Sequence, residues 1–275
     1  MSDSTNTESG PKTPTGDDWH RHSRRERLAR YGAVLGTLVI LAVAWRSMEV
    51  NYDYVASAPR EVGDLVARMY PPDVAYTTEI VGPLIETINI SILGTGLAIV
   101  LAVPVAFLGA ENTSPNRLTY WFGKFIISFT RSVNVIIWAL IFVVLFGPGA
   151  LSGVLAIAVR SVGFTAKLIA EAIEEIDHGQ VEAVTATGAS TVQTFVYGVV
   201  PQIKPAFVSV ATFRWDINVR ASTIIGFVGA GGIGVALQTN INYFNWSAVL
   251  TILIAILGIV LLSEGISAYL RKKVT

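Results

Sequence analysis

Residues 87–110, 132–159 and 221–263 contain no charged side chain at all. A bilayer-spanning helix needs roughly 20 predominantly apolar residues. Each stretch therefore holds one or more spans, and the chain is expected to be a polytopic, all-α membrane protein. Composition agrees: 15% of the 275 residues are charged, against about 25% in an ordinary soluble domain. Six spans are expected, at about 31–50, 83–108, 121–146, 150–173, 203–223 and 246–270. Arg46 snorkels near the end of the first. Pro104 kinks the second, where neighbouring helices satisfy the freed carbonyl. The "GPG" at 147–149 turns the chain between the third and fourth.

Residues 1–30 are rich in Ser, Thr, Asp and Arg and read as a disordered tail. They are too long and too charged for the n-region of an ordinary signal peptide. Residues 31–275 then make up one transmembrane domain. Lys and Arg in the short flanks set its orientation. "HRHSRRERLAR" precedes the first span, Arg117 and Lys124 flank the second and third, and "RKK" follows the last. Six spans put all of these on one side, so both termini are expected in the cytoplasm. The segment 46–79, with three arginines and six acids, falls outside, and whether it forms helices stays open. The stretch 174–201 between spans four and five is then a cytoplasmic loop.

Several chemistries fall away. There is no cysteine, which removes disulfides, zinc thiolate sites and cysteine nucleophiles together. The histidines are His20, His22 and His178, with no H-E-x-x-H, so neither a catalytic site nor a metal site is expected. An intramembrane hydrolase or phosphatase lacks a nucleophile–base pair. A net charge of zero makes no case for nucleic acid. "GFVGAGGIG" contains G-x-G-x-x-G at Gly229, Gly231 and Gly234, but a dinucleotide fingerprint needs a preceding strand and an acid about twenty residues on. The next acid is Glu264, beyond a span. Gly226, Gly229, Gly231, Gly232 and Gly234 instead let backbones approach closely and the chain turn back at membrane depth. On the residues alone this segment is a structural hairpin.

Polar residues inside the spans mark candidate path positions. Arg131 and Asn134 lie about ten residues into span three, Arg160 about ten into span four, and Arg214, Asp216, Asn218 and Arg220 crowd span five. At 1.5 Å per residue that is roughly 15 Å deep, near the midplane. Charges there line a water-filled path or pair with one another. Guanidinium groups match the oxygens of an oxyanion, which suits an anion conduit. The alternative is interhelical glue, and Asp216 with Arg220, at i,i+4 with the acid first, reads as a structural pair.

The cytoplasmic loop is the most informative stretch. "VEAVTATGASTVQTFVYGVVP" at 181–201 is polar, split by Gly188, and closes on Pro201. It reads as helix over 171–187, a break at Gly188 and a second helix over 190–197. Pro201 then sits in the first turn of span five, where proline is tolerated. As composition alone, the stretch is a connecting loop or a surface for another protein's groove. Its spacing resembles the EAA loop of ABC-importer permeases: E-A-A, three residues, G, nine residues, I-x-L-P. Glu182, Ala183, Gly188 and Pro201 match, while Val184, Gly198 and Val200 depart at packing positions.

Three stretches narrow the resemblance: "RSVNVIIWALIF" at 131–142, "EAIEEIDHGQVEAVTATGA" at 171–189 and "FRWDINVRASTIIGFVGAGGIG" at 213–234. Together they are similar to permeases of the phosphonate importers, whose relatives take up phosphite and other reduced-phosphorus anions, and the likeness covers about residues 75–273. The resemblance implies a type I ABC importer permease fold in a bacterial inner membrane. It implies a second copy of the chain, two ATPase subunits on the cytoplasmic loops, and an extracytoplasmic phosphonate-binding protein. It also implies a place near an outer gate for the glycine segment at 226–234. The loop becomes a coupling helix: Ala183 permits close approach, Gly188 a sharp turn, and Glu182 pairs with a basic residue of the ATPase or caps an amide. No cofactor is expected on this chain, because it has no P-loop; ATP and Mg²⁺ belong to the ATPase. The alternatives are phosphite or phosphate as cargo, or an ATP-independent anion channel or carrier, which the loop and the lack of an inverted repeat disfavour.

Overall fold

The computed structural model describes residues 24–274, and helix is the only regular structure among them. The described residues divide into two compact units, one ending at Glu61 and the other beginning at Val62. In the first unit, helix α1 (Arg24–Ser47) opens on charged residues and then runs apolar on all sides over 31–45, with none of its apolar window buried, the pattern of a helix solvated by lipid. Residues 24–30, expected in a disordered tail, open this helix, because "RERLAR" consists of good helix formers. Residues 1–23 of that expected tail lie outside the described residues. Trp45 Nε1 donates to the Tyr52 hydroxyl at 2.7 Å, closing the turn after α1. Helix α2 (Tyr52–Met69) begins there and buries none of its side chains.

The second unit is organised on a parallel pair, α3 (Thr77–Gly109) and α6 (Ala150–Glu174), whose contacts advance together from Ile90 with Gly153 through Gly94 with Ile157 to Glu111 with Glu174. Their facing sides are built from small residues, Ala98, Ala102 and Ala106 on one and Ala156, Ala166 and Ala170 on the other, all fully buried. Small side chains let apolar helices approach closely in lipid. At one end of the pair, Glu111 N donates to Glu174 Oε1 (2.9 Å) and Asn112 Nδ2 to the Ile173 carbonyl (2.6 Å). Buried clusters follow one another along the pair. One joins Ala106, Ile169, Ile173 and Ile203, the next Ile90, Ile157 and Ile225, and the last Ile80, Ile233 and Ile252.

The third expected span is not one straight helix. Helices α4 (Arg117–Ser132) and α5 (Val135–Phe146) meet at 90°. Val133 is extended, and the Asn134 side chain accepts from Ile136 N at 3.0 Å to cap α5. An Asn directly before an apolar run is a helix start signal, and here it outweighs the continuous hydropathy across 132–146.

The fifth expected span is longer than 203–223. Helix α7 (His178–Ala186) precedes it, then α8 (Thr191–Thr194) runs through a π turn at Phe195–Val199 into α9 (Val200–Ile225). After a 3₁₀ turn at Gly226–Val228, α10 (Ile233–Asn242) continues at a bend of 42°, and α11 (Trp246–Val274) closes the unit. The glycine segment therefore offsets the helix axis rather than reversing it. Gly229, Gly231 and Gly232 all adopt positive φ, which makes a compact loop. Gly149 N donates to Gly229 O (2.9 Å) and Ile233 N to Thr87 Oγ1 (2.7 Å), so the loop is fastened to the start of α6 and to α3. Among the described residues four helices are long and apolar enough to cross a membrane, and up to six spans result if each bent pair is one span.

The bend depends on contact between two backbones. A methyl group on Gly226 would come within 2.5 Å of Gly234 Cα. Overpacking of this kind costs about 1–3 kcal/mol. Gly234→Val is expected to lower the thermal midpoint of the detergent-solubilised protein by several degrees, whereas Gly96→Ala, which meets nothing within 4 Å, leaves it unchanged or raises it.

Candidate functional site

The loop between α6 and α9 projects a helix held at its root. Asp177 caps α7 by accepting from Gly179 N at 2.9 Å. Its own N–H donates to Gln202 Oε1 at 2.8 Å, and Gln202 Nε2 donates to Gly198 O at 2.7 Å. Gln202, on the first turn of α9, thus fastens the root of α7 to α9. The Glu174 contacts fasten the end of α6 to the α3–α4 turn. Helix α7 starts at His178, so residues 171–174 belong to α6 and the expected long helix is broken at 175–177.

Glu182 and Ala183 lie on the exposed side of α7, and Val181 and Val184 on its half-buried side. Gly198 is buried 3.3 Å from Val181 Cα, measured from where its Cβ would stand. The departures from the EAA pattern at 184 and 198 are therefore partners: a larger residue on α7 packs against a glycine under it. Gly188 ends the turn with φ +81°, a conformation glycine adopts without cost. A groove of about 600 Å³ is lined by Ala183, Val184, Gly188, Gln193 and Tyr197. Val192 and Tyr197 stand 72% and 69% exposed near it, and Glu182 adds a carboxylate. Pro201 occupies the first turn of α9. It supplies no N–H, and the π turn before it closes instead through Val200 N to Phe195 O.

Deep in the helices, α9 presents two polar stripes. Arg214 and Asn218 face α6 and α3. Arg214 Nη2 donates to Ser161 Oγ (3.0 Å), Ser161 Oγ to Asn218 Oδ1 (3.0 Å), and Asn218 Nδ2 to Thr95 Oγ1 (2.9 Å). The second stripe faces α11. Asp216 pairs with Arg220 and accepts from Ser263 Oγ at 2.8 Å, and Ser267 Oγ donates to the Thr212 carbonyl at 3.2 Å. Asp216 and Asn218 are 4% and 2% exposed.

The remaining path candidates separate in the same way. Asn134 uses its oxygen to cap α5 and sits on the exposed side of the bend. Arg131 occupies the last turn of α4 rather than mid-helix. Its guanidinium lies 5.4 Å from the Phe164 ring centroid, and that of Arg214 lies 4.7 Å from the same ring. Arg160 stands one helical turn before Phe164 on α6, half-exposed. Phe164 was not among the candidates. An aromatic four residues after an intramembrane arginine is the sequence signal that points to it.

Comparison with known proteins follows this geometry. Residues 94–275 match the model of the family described as the binding-protein-dependent transport system inner membrane component. The phosphite transport system permease protein PtxC of Stutzerimonas stutzeri is 38% identical over 246 residues, covering 90% of this chain and 89% of that protein. The phosphate-import permease protein PhnE of Mycolicibacterium smegmatis is 36% identical over 251 residues, 90% of this chain and 47% of that protein. A solved structure, the MetNI methionine ABC transporter in an inward-facing conformation, superposes with a TM-score of 0.64 at 24% identity, covering 74% of this chain and 99% of that chain. The fold is that of the type I ABC importer permeases.

The second polar stripe makes a stability prediction. A side-chain hydrogen bond between membrane helices contributes about 0.6–2 kcal/mol. Ser263→Ala is expected to lower the thermal midpoint slightly, and Asp216→Ala to lower it more, because Arg220 then loses its partner; differential scanning fluorimetry in detergent reads both.

Proposed function

Because the chain belongs to the family of binding-protein-dependent transport system inner membrane components, we propose that it is the permease subunit of an ATP-driven importer for phosphonate or a related phosphorus oxyanion. The observation that carries the coupling half of this reading is the exposed α7–Gly188–α8 pair. It offers a groove, a carboxylate at Glu182 and two large apolar side chains; its root is anchored to α9, and the end of α6 that leads into it is anchored to the α3–α4 turn. A helix so held moves as a rigid body, so a push on it reaches the two helices that carry Arg160 and Arg214. The cargo class is supported by the relatives, one named for phosphite and one for phosphate, and by the arginines at mid-helix. Phosphite therefore stands beside phosphonate as a substrate.

In this reading the chain lies in a bacterial inner membrane with both termini and α7 in the cytoplasm. Two copies form the pathway about a two-fold axis. Two ATPase subunits, which hold ATP and Mg²⁺, dock on the α7 surfaces, and an extracytoplasmic binding protein delivers the anion. ATP binding draws the ATPases together, the α7 helices converge and the pathway opens outward. Hydrolysis returns it to face inward. The glycine loop at 226–234, fastened to α3 and α6, is the outer gate.

Tagged permease, co-expressed with its ATPase, tests the docking surface. Glu182→Lys reverses the charge of the patch, and Gly188→Pro both removes the N–H that reaches Thr185 O and forbids the positive φ. Both variants are expected to insert normally and to lose most of the co-purifying ATPase; retention of the ATPase with undiminished transport would reduce residues 181–201 to a connector. Gln202→Ala separates docking from transmission. The ATPase is expected to stay bound and to hydrolyse ATP while import in proteoliposomes falls several-fold.

A further inference from the structure

Most polar residues in the spans have partners supplied by the chain. Asn134 caps α5, Asn218 sits in the hydrogen-bond chain between α6 and α3, and Asp216 and Arg220 hold each other against α11. Arg131, Arg160 and Arg214 are different. They come from three helices, α4, α6 and α9: Arg131 and Arg214 lie over one ring, Phe164 of α6, and Arg160 stands one helical turn before that ring on α6. We propose that these three arginines form a binding station for a tetrahedral phosphorus oxyanion within the permease. The proposal rests on the importer reading above and names the groups that hold the cargo inside the chain.

The way the arginines are held is the first argument. Phe164 takes Arg131 and Arg214 over its π system, which steadies a guanidinium by its face. A carboxylate would instead occupy the N–H edge, where an oxyanion binds in the plane of the fork. Among the described residues the carboxylates in ion pairs bind other cations: Glu174 binds Lys124, Glu171 binds Lys167 and Asp216 binds Arg220. No carboxylate in these pairs takes the donors of the arginine group, and Ser161 takes one, the Nη2 of Arg214.

The second argument is the state of those donors. Arg214 is 4% exposed, and its Nε has no hydrogen-bond partner among the described residues; the same holds for the buried Nη1 of Arg160. Arg214 is steered by Ser161, which engages only Nη2. Buried donors on a charged group are rarely left unpaired, because their desolvation is then uncompensated. The polypeptide provides the donors and the charge, and an incoming anion provides the acceptor.

The third argument is access. Arg131 and Arg160 are half-exposed at the side of the helix group. A guanidinium at that depth facing hydrocarbon is costly, so arginines in spans turn to a bundle interior or to water. The exposed side of this trio therefore borders the aqueous pathway. A doubly charged tetrahedral anion matches three convergent guanidiniums better than a halide does, having several oxygens to share among them.

The experiment uses the permease–ATPase complex in lipid nanodiscs, without the binding protein. Sodium phosphite, methylphosphonate and inorganic phosphate are titrated in turn, with ³¹P line broadening as the readout and chloride as competitor. Wild type is expected to bind saturably, with tetrahedral oxyanions displacing one another and chloride displacing them poorly. Arg160→Gln, half-exposed and so safe for folding, and Phe164→Leu, which keeps an apolar side chain but removes the π face, are each expected to weaken binding about tenfold. Lys167→Gln, a cation on the same helix in a surface ion pair, keeps wild-type binding. Wild-type binding in both Arg160→Gln and Phe164→Leu would overturn the station, as would absence of saturable binding to wild type or equal displacement by chloride. In each of those results the complex still carries its ATPase and the importer reading stands. Failure of the ATPase to co-purify with wild type would overturn the importer reading, and the station with it.

Discussion

In a bilayer, helices gain little by pressing apolar surfaces together, since lipid tails are as apolar as leucine. What fixes α9 against its neighbours is a run of hydrogen bonds from Arg214 to Ser161, on to Asn218, and from there to Thr95. The remaining architecture takes its bearings from this run. It sets which side of α9 meets α6 and α3, and so leaves Asp216 and Arg220 to face Ser263 on α11. It also aims the Arg214 guanidinium at Phe164, where Arg131 arrives from the bent α4–α5 pair. Small residues at the α3–α6 contact make the close approach possible, but they would tolerate sliding. The polar run does not.

The same two helices that meet at Ser161 and Arg214 leave the apolar region on either side of α7. At that end the contacts change character. Glu174 accepts from the backbone of the α3–α4 turn, and Gln202 bridges the start of α7 and the π turn. These are polar contacts at exposed or partly exposed positions, individually weak in water, yet arranged so that the helix leading into α7 and the root of α7 are both fixed. Only its outward side, with Glu182, Ala183 and the groove beside Gly188, is left uncommitted.

Much of this was legible in the residues. Charge-free runs at 87–110, 132–159 and 221–263 located the helices, and Gly188 marked a break that the backbone makes with positive φ. The i,i+4 spacing of Asp216 and Arg220 indicated a pair that forms. The bend at 133–134 was hidden because hydropathy is blind to capping: "VNVIIWAL" is apolar except for Asn134, and that one residue caps α5 where the chain turns by 90°. The glycines at 226–234 suggested a reversal because local permissiveness says nothing about direction; the fastening to Thr87 and Gly149 decides that, and it lies far away in sequence. The pairing of Val184 with Gly198 was hidden for a similar reason. Each looks like a defect in the motif until the two are seen in contact.

The π turn at Phe195–Val199 has a bearing on angular phase. Each residue of an α-helix advances the facing direction by about 100°. A turn that takes in one extra residue therefore rotates everything beyond it by about that much. Arg214 and Asn218 point at α6 because the winding was reset at the mouth of the helix, next to the proline that lacks an N–H. The same residues wound as regular α-helix through 195–199 would present the neighbouring side chains, Phe213 and Ile217, in place of the polar stripe. The loop that meets the outside of the helices and the residues at their centre are thus bound by a shared winding number, and neither can change length without the other.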